Sequence, residues 1–98
     1  MAETIDELTI EWTEPDGTVT VKELDKQVLT KGSWTTIMYK YQDLKRGTTE
    51  FGAPKVRIQR YRKRDGRFQP QSKFNITNEK QAMNIVDVLN GWFGEGKG

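Results

Sequence analysis

The chain has no cysteine and no histidine. Without cysteine there are no disulfides and no thiolate metal sites. Without histidine the commonest general base, a common metal ligand and the usual partner of a nucleophilic serine are all missing. Proline occurs only 3 times, and hydrophobic residues make up 34% of the 98 residues against 31% charged, so apolar material suffices for one modest core. No apolar run approaches the roughly 20 residues that span a bilayer. The start, Met-Ala-Glu-Thr-Ile-Asp-Glu, is acidic and lacks the apolar stretch of a signal peptide. No membrane partner is expected. The carboxylates left as candidates for chemistry, Asp6/Glu7 and Glu14/Asp16, adjoin one another on a turn-rich segment without a convergent partner. The closing Gly94-Glu95-Gly96-Lys97-Gly98 follows the last element and leads into no phosphate-cradling helix. An enzyme is therefore not expected, nor a metal or other cofactor.

What is present is a block of positive charge. Lys55, Arg57, Arg60, Arg62, Lys63, Arg64, Arg67 and Lys73 face a single acid, Asp65, with Tyr61, Phe68 and Phe74 among them. The overall net charge of +2 conceals the separation. Residues 1–30 hold two basic side chains and eight acidic ones, net −6, whereas residues 31–80 hold thirteen and four, net +9. Phosphates need cations and unpaired bases need rings to stack on, so cations interleaved with aromatics suit a single-stranded polyanion. The plainer alternative is a solvated basic strand pair.

Periodicity predicts one domain of five strands and a helix. Leu8, Ile10 and Trp12 alternate with polar residues, Glu14-Pro15-Asp16-Gly17 turns, and Val19 and Val21 return, giving an acidic hairpin within residues 1–30. After Lys31-Gly32, the stretch from Ser33 to Tyr41 reads as a strand with Trp34, Thr36 and Met38 on one face and Thr35, Ile37, Tyr39 and Tyr41 on the other. Residues 45–54 form a loop. A strand carrying Val56 and Ile58 on one face and Arg57, Gln59 and Tyr61 on the other then reaches Asp65-Gly66, a hairpin turn. The next strand runs from Phe68 to Ile76, with Pro70 marking a kink or an edge. Thr77 or Asn78 caps a helix, and Gln81 fits a capping box. Ala82, Ile85, Val86, Leu89, Trp92 and Phe93 make one apolar stripe, and Gly94 ends it, leaving a Gly-rich tail over 94–98.

The stretch from Val56 to Gln81, VRIQRYRKRDGRFQPQSKFNITNEKQ, resembles the single-stranded-DNA-binding domain of the positive cofactor four family of transcriptional coactivators. There a V-x-I-R-x-Y-[WY] strand leads through an acidic-Gly turn and G-E-[LM]-K-P-x-x-K-G-I-S-L into a C-terminal helix. Val56, Ile58 and Tyr61 match the strand, Asp65-Gly66 the turn, Phe68 and Pro70 the apolar residue and proline, Lys73 the basic position, and Phe74-Asn75-Ile76 the last triplet. The resemblance covers about residues 34–93. Gln59 stands where the family has Arg, Arg62 where it has an aromatic, and Gln69 where it has Lys; Arg57, Arg60, Lys63, Arg64 and Arg67 are additional cations. The family's Ser/Lys-rich N-terminal tail is replaced by the acidic hairpin.

The resemblance implies an α+β fold: a strongly curved antiparallel sheet, ββββα, with the added N-terminal hairpin and a helix-mediated homodimer whose paired grooves hold single strands. The expectation is a non-enzymatic protein that binds single-stranded DNA, or RNA, with low sequence specificity. The candidate contacts are Lys40, Lys55, Arg57, Gln59, Arg60, Tyr61, Arg62, Lys63, Arg64, Arg67, Phe68 and Lys73 within the 31–93 core. Tyr39, Tyr41 and Trp34 are further candidate stacking rings. Tyr61 and Phe68 are expected to be exposed, and Phe74 and Trp92 to be core. The dimer interface is assigned to Ile85, Val86, Leu89, Trp92 and Phe93; the alternative is that these residues cap a monomeric core. Transcription or replication proteins are the further partners expected, in a nucleoid-bearing cytoplasm or a nucleus according to the host. A protein-interaction module that binds an acidic partner is the alternative function. The acidic hairpin either competes with phosphates near the groove or extends the sheet edge into water.

Overall fold

The computed structural model describes residues 3–94. A short turn of 3-10 helix (Ile5–Glu7) precedes five strands and one helix: β1 (Trp12–Thr13), β2 (Val19–Thr30), β3 (Trp34–Asp43), β4 (Lys55–Arg64), β5 (Arg67–Ile76) and α1 (Glu79–Phe93). The strands follow one another in chain order in one antiparallel sheet. The sheet is strongly curled, so the expected α+β class with a curved sheet and C-terminal helix is what the chain adopts. Most of the expected tail, residues 95–98, lies outside the described residues.

Register fixes the two faces. Thr35, Ile37, Tyr39 and Tyr41 of β3 stand opposite Tyr61, Gln59, Arg57 and Lys55 of β4. These share the inner face, which carries the core: Ile37 and Tyr39 are fully buried, and Tyr41, Tyr61 and Phe68 nearly so. Trp34, Thr36, Met38 and Lys40 pair with Arg62, Arg60, Ile58 and Val56 on the outer face. The Tyr39 and Tyr61 hydroxyls hydrogen-bond each other at 2.7 Å, so neither buried oxygen is orphaned. Burial raises the pKa of both phenols.

The N-terminal hairpin differs from expectation. Its turn is present, with Gly17 at φ 92°, but the first strand is only Trp12–Thr13. Leu8 and Ile10 lie outside the ladder and pack on the inner face. Leu8 joins the cluster of Ile37, Tyr39, Tyr61 and Phe68, with Ile5, Ile10 and Val28 against it. A sheet of this size needs a second layer on its apolar face. Here residues 5–10 supply that layer, and the helix does not. The return strand continues to Thr30 and pairs along β3, so the boundary at residue 30 falls in a hairpin turn of one continuous sheet. Beyond Lys22, β2 is an edge. Two bulges, at Leu24 and Leu29, interrupt its register, which discourages pairing with another strand.

At the other end, Asp65 (φ 51°) and Gly66 (φ 78°) form the expected primed turn. Pro70 lies on edge strand β5 beside a bulge, where no ladder donor is needed. The Asn78 side chain accepts from the Gln81 backbone N–H at 2.8 Å, and the Gln81 side chain accepts from the Thr77 N–H at 2.9 Å. The helix then leaves the sheet. Only its first turn approaches the outer face, where Lys40, Val56, Ile76 and Ala82 line a cleft of about 330 Å³. No residue of α1 is buried.

Candidate nucleic-acid interface

The sheet divides the expected contact residues between its faces. By strand alternation, Lys40, Arg60, Arg62, Arg64 and Arg67 belong to the outer face. Lys55, Arg57, Gln59, Tyr61, Lys63, Phe68 and Lys73 belong to the inner face.

The outer face holds the open site. Trp34, Arg62 and Gln69 form one row across three strands, and Arg60 is in the next row. The Arg60 and Arg62 guanidinium carbons lie 4.5 and 5.3 Å from the centre of the Trp34 ring. Both arginines are exposed, and Trp34 keeps 39% of its surface. The favourable ring quadrupole holds the cations above an aromatic platform. Arg64 and Arg67 extend the positive strip to the hairpin tip. Among the described residues none of these four arginines has an ion-pair partner: the pair recorded there is Lys55–Asp43, at 2.9 Å. Four unpaired guanidiniums beside an exposed indole can neutralise phosphates and extend a base stack.

The inner face is occupied. Tyr61 and Phe68, expected to face solvent beside the cations, retain 3% and 5% of their surface. They share a face with Ile37 and Tyr39, and residues 5–10 cover them. Tyr39 belongs to the same covered cluster, and Tyr41 is buried on the same face, so none of the four rings is open for stacking. The cations around them have local partners. Arg57 lies 5.2 Å from the Tyr41 ring and donates from Nε to Asn75 Oδ1 at 2.9 Å. Lys63 lies 5.2 Å from the Phe68 ring. Hydrogen bonding and charge from Asp43 raise the Lys55 pKa.

Phe74 and Trp92, expected in the core, are 52% and 66% exposed. The helix departs after its first turn, so nothing covers Phe74 on the outer face or Trp92 on the helix. Val86, Leu89 and Phe93 are exposed with them, and Ile85 is half-buried. Trp34, expected as one of several further stacking rings, is the central residue of the open site. Its neighbours depend on the β3–β4 register, which the eleven-residue connection over 44–54 conceals from the sequence.

Among the described residues there is no cluster of metal-ligating side chains, and no helix is long and apolar enough to cross a membrane. Comparison with known proteins finds no matching family model, curated protein or solved structure.

Proposed function

We propose that the protein binds single-stranded nucleic acid without catalysing a reaction and with little sequence preference. The observation that carries this reading is the exposed Trp34 ring beside Arg60 and Arg62, continued by Arg64 and Arg67. Rings reach bases only when the bases are unpaired, so the site favours single strands over duplex. Nothing in the Trp34 row forms the convergent hydrogen-bonding pocket that base-edge reading requires. The resemblance to the positive cofactor four family supports the same reading. Arg62 and Gln69, two positions at which the chain departs from that family, stand in register with Trp34. A role in transcription regulation, or in DNA replication, recombination or repair, follows from this ligand class.

The working form is a homodimer joined through α1. A 15-residue helix with no buried residue and an apolar stripe of Ile85, Val86, Leu89, Trp92 and Phe93 covers too little surface to be stable by itself. A second copy burying the same stripe satisfies both helices. The helix approaches the Lys40 end of the outer face, about 20 Å along β3 from Trp34 at roughly 3.3 Å per residue.

The test is fluorescence anisotropy with oligo-dT and with a duplex of equal length at matched salt, together with a solution mass. Tighter binding to oligo-dT, lost in Trp34→Ala, is expected. Equal affinity for the two forms overturns the reading. Binding of an acidic protein that oligo-dT does not displace favours the protein-interaction alternative.

A further inference from the structure

We propose that residues 3–11 form an acidic strap that competes with single-stranded nucleic acid for the inner face of the sheet. This rests on the ligand class proposed above and adds a second, closed contact surface for it.

The inner face has the composition of a single-strand groove. Lys26, Arg57, Lys63 and Lys73 surround Tyr39, Tyr61 and Phe68. The strap covering the rings carries four exposed carboxylates, Glu3, Asp6, Glu7 and Glu11, of which Glu7 and Glu11 line the cleft facing Arg57, and it packs Leu8, with Ile5 and Ile10, against the rings. It is attached by side-chain packing and a few hydrogen bonds, and lifting it uncovers Ile37, Tyr39, Tyr61 and Phe68, so the entering strand must cover these residues in its place. No residue of the strap belongs to a strand ladder. One side chain, Leu8, enters the core deeply.

Lys26 is the latch: its ammonium group donates to the Ile5 and Leu8 carbonyls at 2.6 and 2.7 Å. Glu11 accepts from the Glu23 backbone N–H at 3.2 Å, and Thr9 donates to the Glu23 carboxylate. None of the strap carboxylates forms an ion pair among the described residues, so lifting the strap breaks no salt bridge. It instead frees Lys26 from neutral carbonyls for phosphate, a stronger acceptor. Nor does the strap fill the face. A cleft of about 380 Å³ lies between it and the sheet, bounded by Glu7, Leu8, Glu11, Arg57, Gln59 and Phe68. An entering strand has room there to begin displacement.

The absence of native cysteine permits a direct test. Thr9→Cys and Glu23→Cys are introduced together in the full chain and joined with a bis-maleimide that contains a reducible disulfide. Oligo-dT affinity and its salt slope are measured on the same folded protein before and after reduction. Release is expected to tighten binding about tenfold or more, the contribution of roughly one stacked base, and to steepen the salt slope. Leu8→Ala, which loosens the strap without a linker, is expected to act in the same direction. Equal affinity and slope before and after release overturn the strap while leaving the outer-face site intact. No oligo-dT binding in either state overturns both readings.

Discussion

Replacing Arg60 and Arg62 by Gln tests the outer site through its electrostatics. Four arginines, Arg60, Arg62, Arg64 and Arg67, lie along the strip. Each phosphate contact on a single strand contributes about 0.7 to the log-log dependence of affinity on salt, so the four together contribute about −2.8. Arg60→Gln with Arg62→Gln leaves two contacts and a contribution of about −1.4. Over a fourfold rise in salt the wild-type strip then loses about 50-fold in affinity and the variant about sevenfold. Both side chains are exposed, and their interactions with Trp34 contribute only about 0.5–1 kcal/mol each to stability at such a site. The fold should therefore survive, which circular dichroism checks. Trp34→Ala makes the complementary change. It should weaken oligo-dT binding by about 1–3 kcal/mol, or roughly 5- to 150-fold, with the salt slope unchanged, because a ring releases no counterions. The assay is anisotropy at a series of salt concentrations. An unchanged slope in a folded double variant would refute the assignment of phosphate contacts to this face.

Tyr39→Phe should destabilise the fold by about 1–3 kcal/mol, because it leaves the buried Tyr61 hydroxyl without its partner. Adding Tyr61→Phe should recover part of that loss, and strictly additive losses in urea denaturation at fixed protein concentration would contradict the pairing. The raised pKa of both phenols makes a stabilising contribution that is complete below the ordinary tyrosine value of about 10 and lost as pH rises through the folded value. Absorbance titration at alkaline pH should accordingly show these two tyrosines ionising only as the sheet opens. Leu89→Asp, on the exposed apolar stripe, should halve the solution mass or unfold the helix; an unchanged dimer mass would place the interface elsewhere.

Much of the architecture was legible in local sequence. Alternation assigned the faces of Trp34–Tyr41 and Val56–Tyr61, Asp65-Gly66 marked a primed turn, and Asn78 with Gln81 marked the helix start. These signals depend on neighbouring residues, and tertiary packing left them unchanged. The sequence also determined the separation of an acidic segment from a basic sheet, and it excluded cysteine and histidine chemistry outright. Which aromatics are buried was decided only in three dimensions. Alternation places Tyr61 and Trp34 on opposite faces but does not say which face acquires a cover. That depended on residues 5–10 folding back over the inner face and on the helix turning away after Ala82, leaving Phe74, Trp92 and Trp34 outside. Both events join segments distant in sequence. Burial follows the apolar surface that such contacts remove from water, which neither periodicity nor composition specifies.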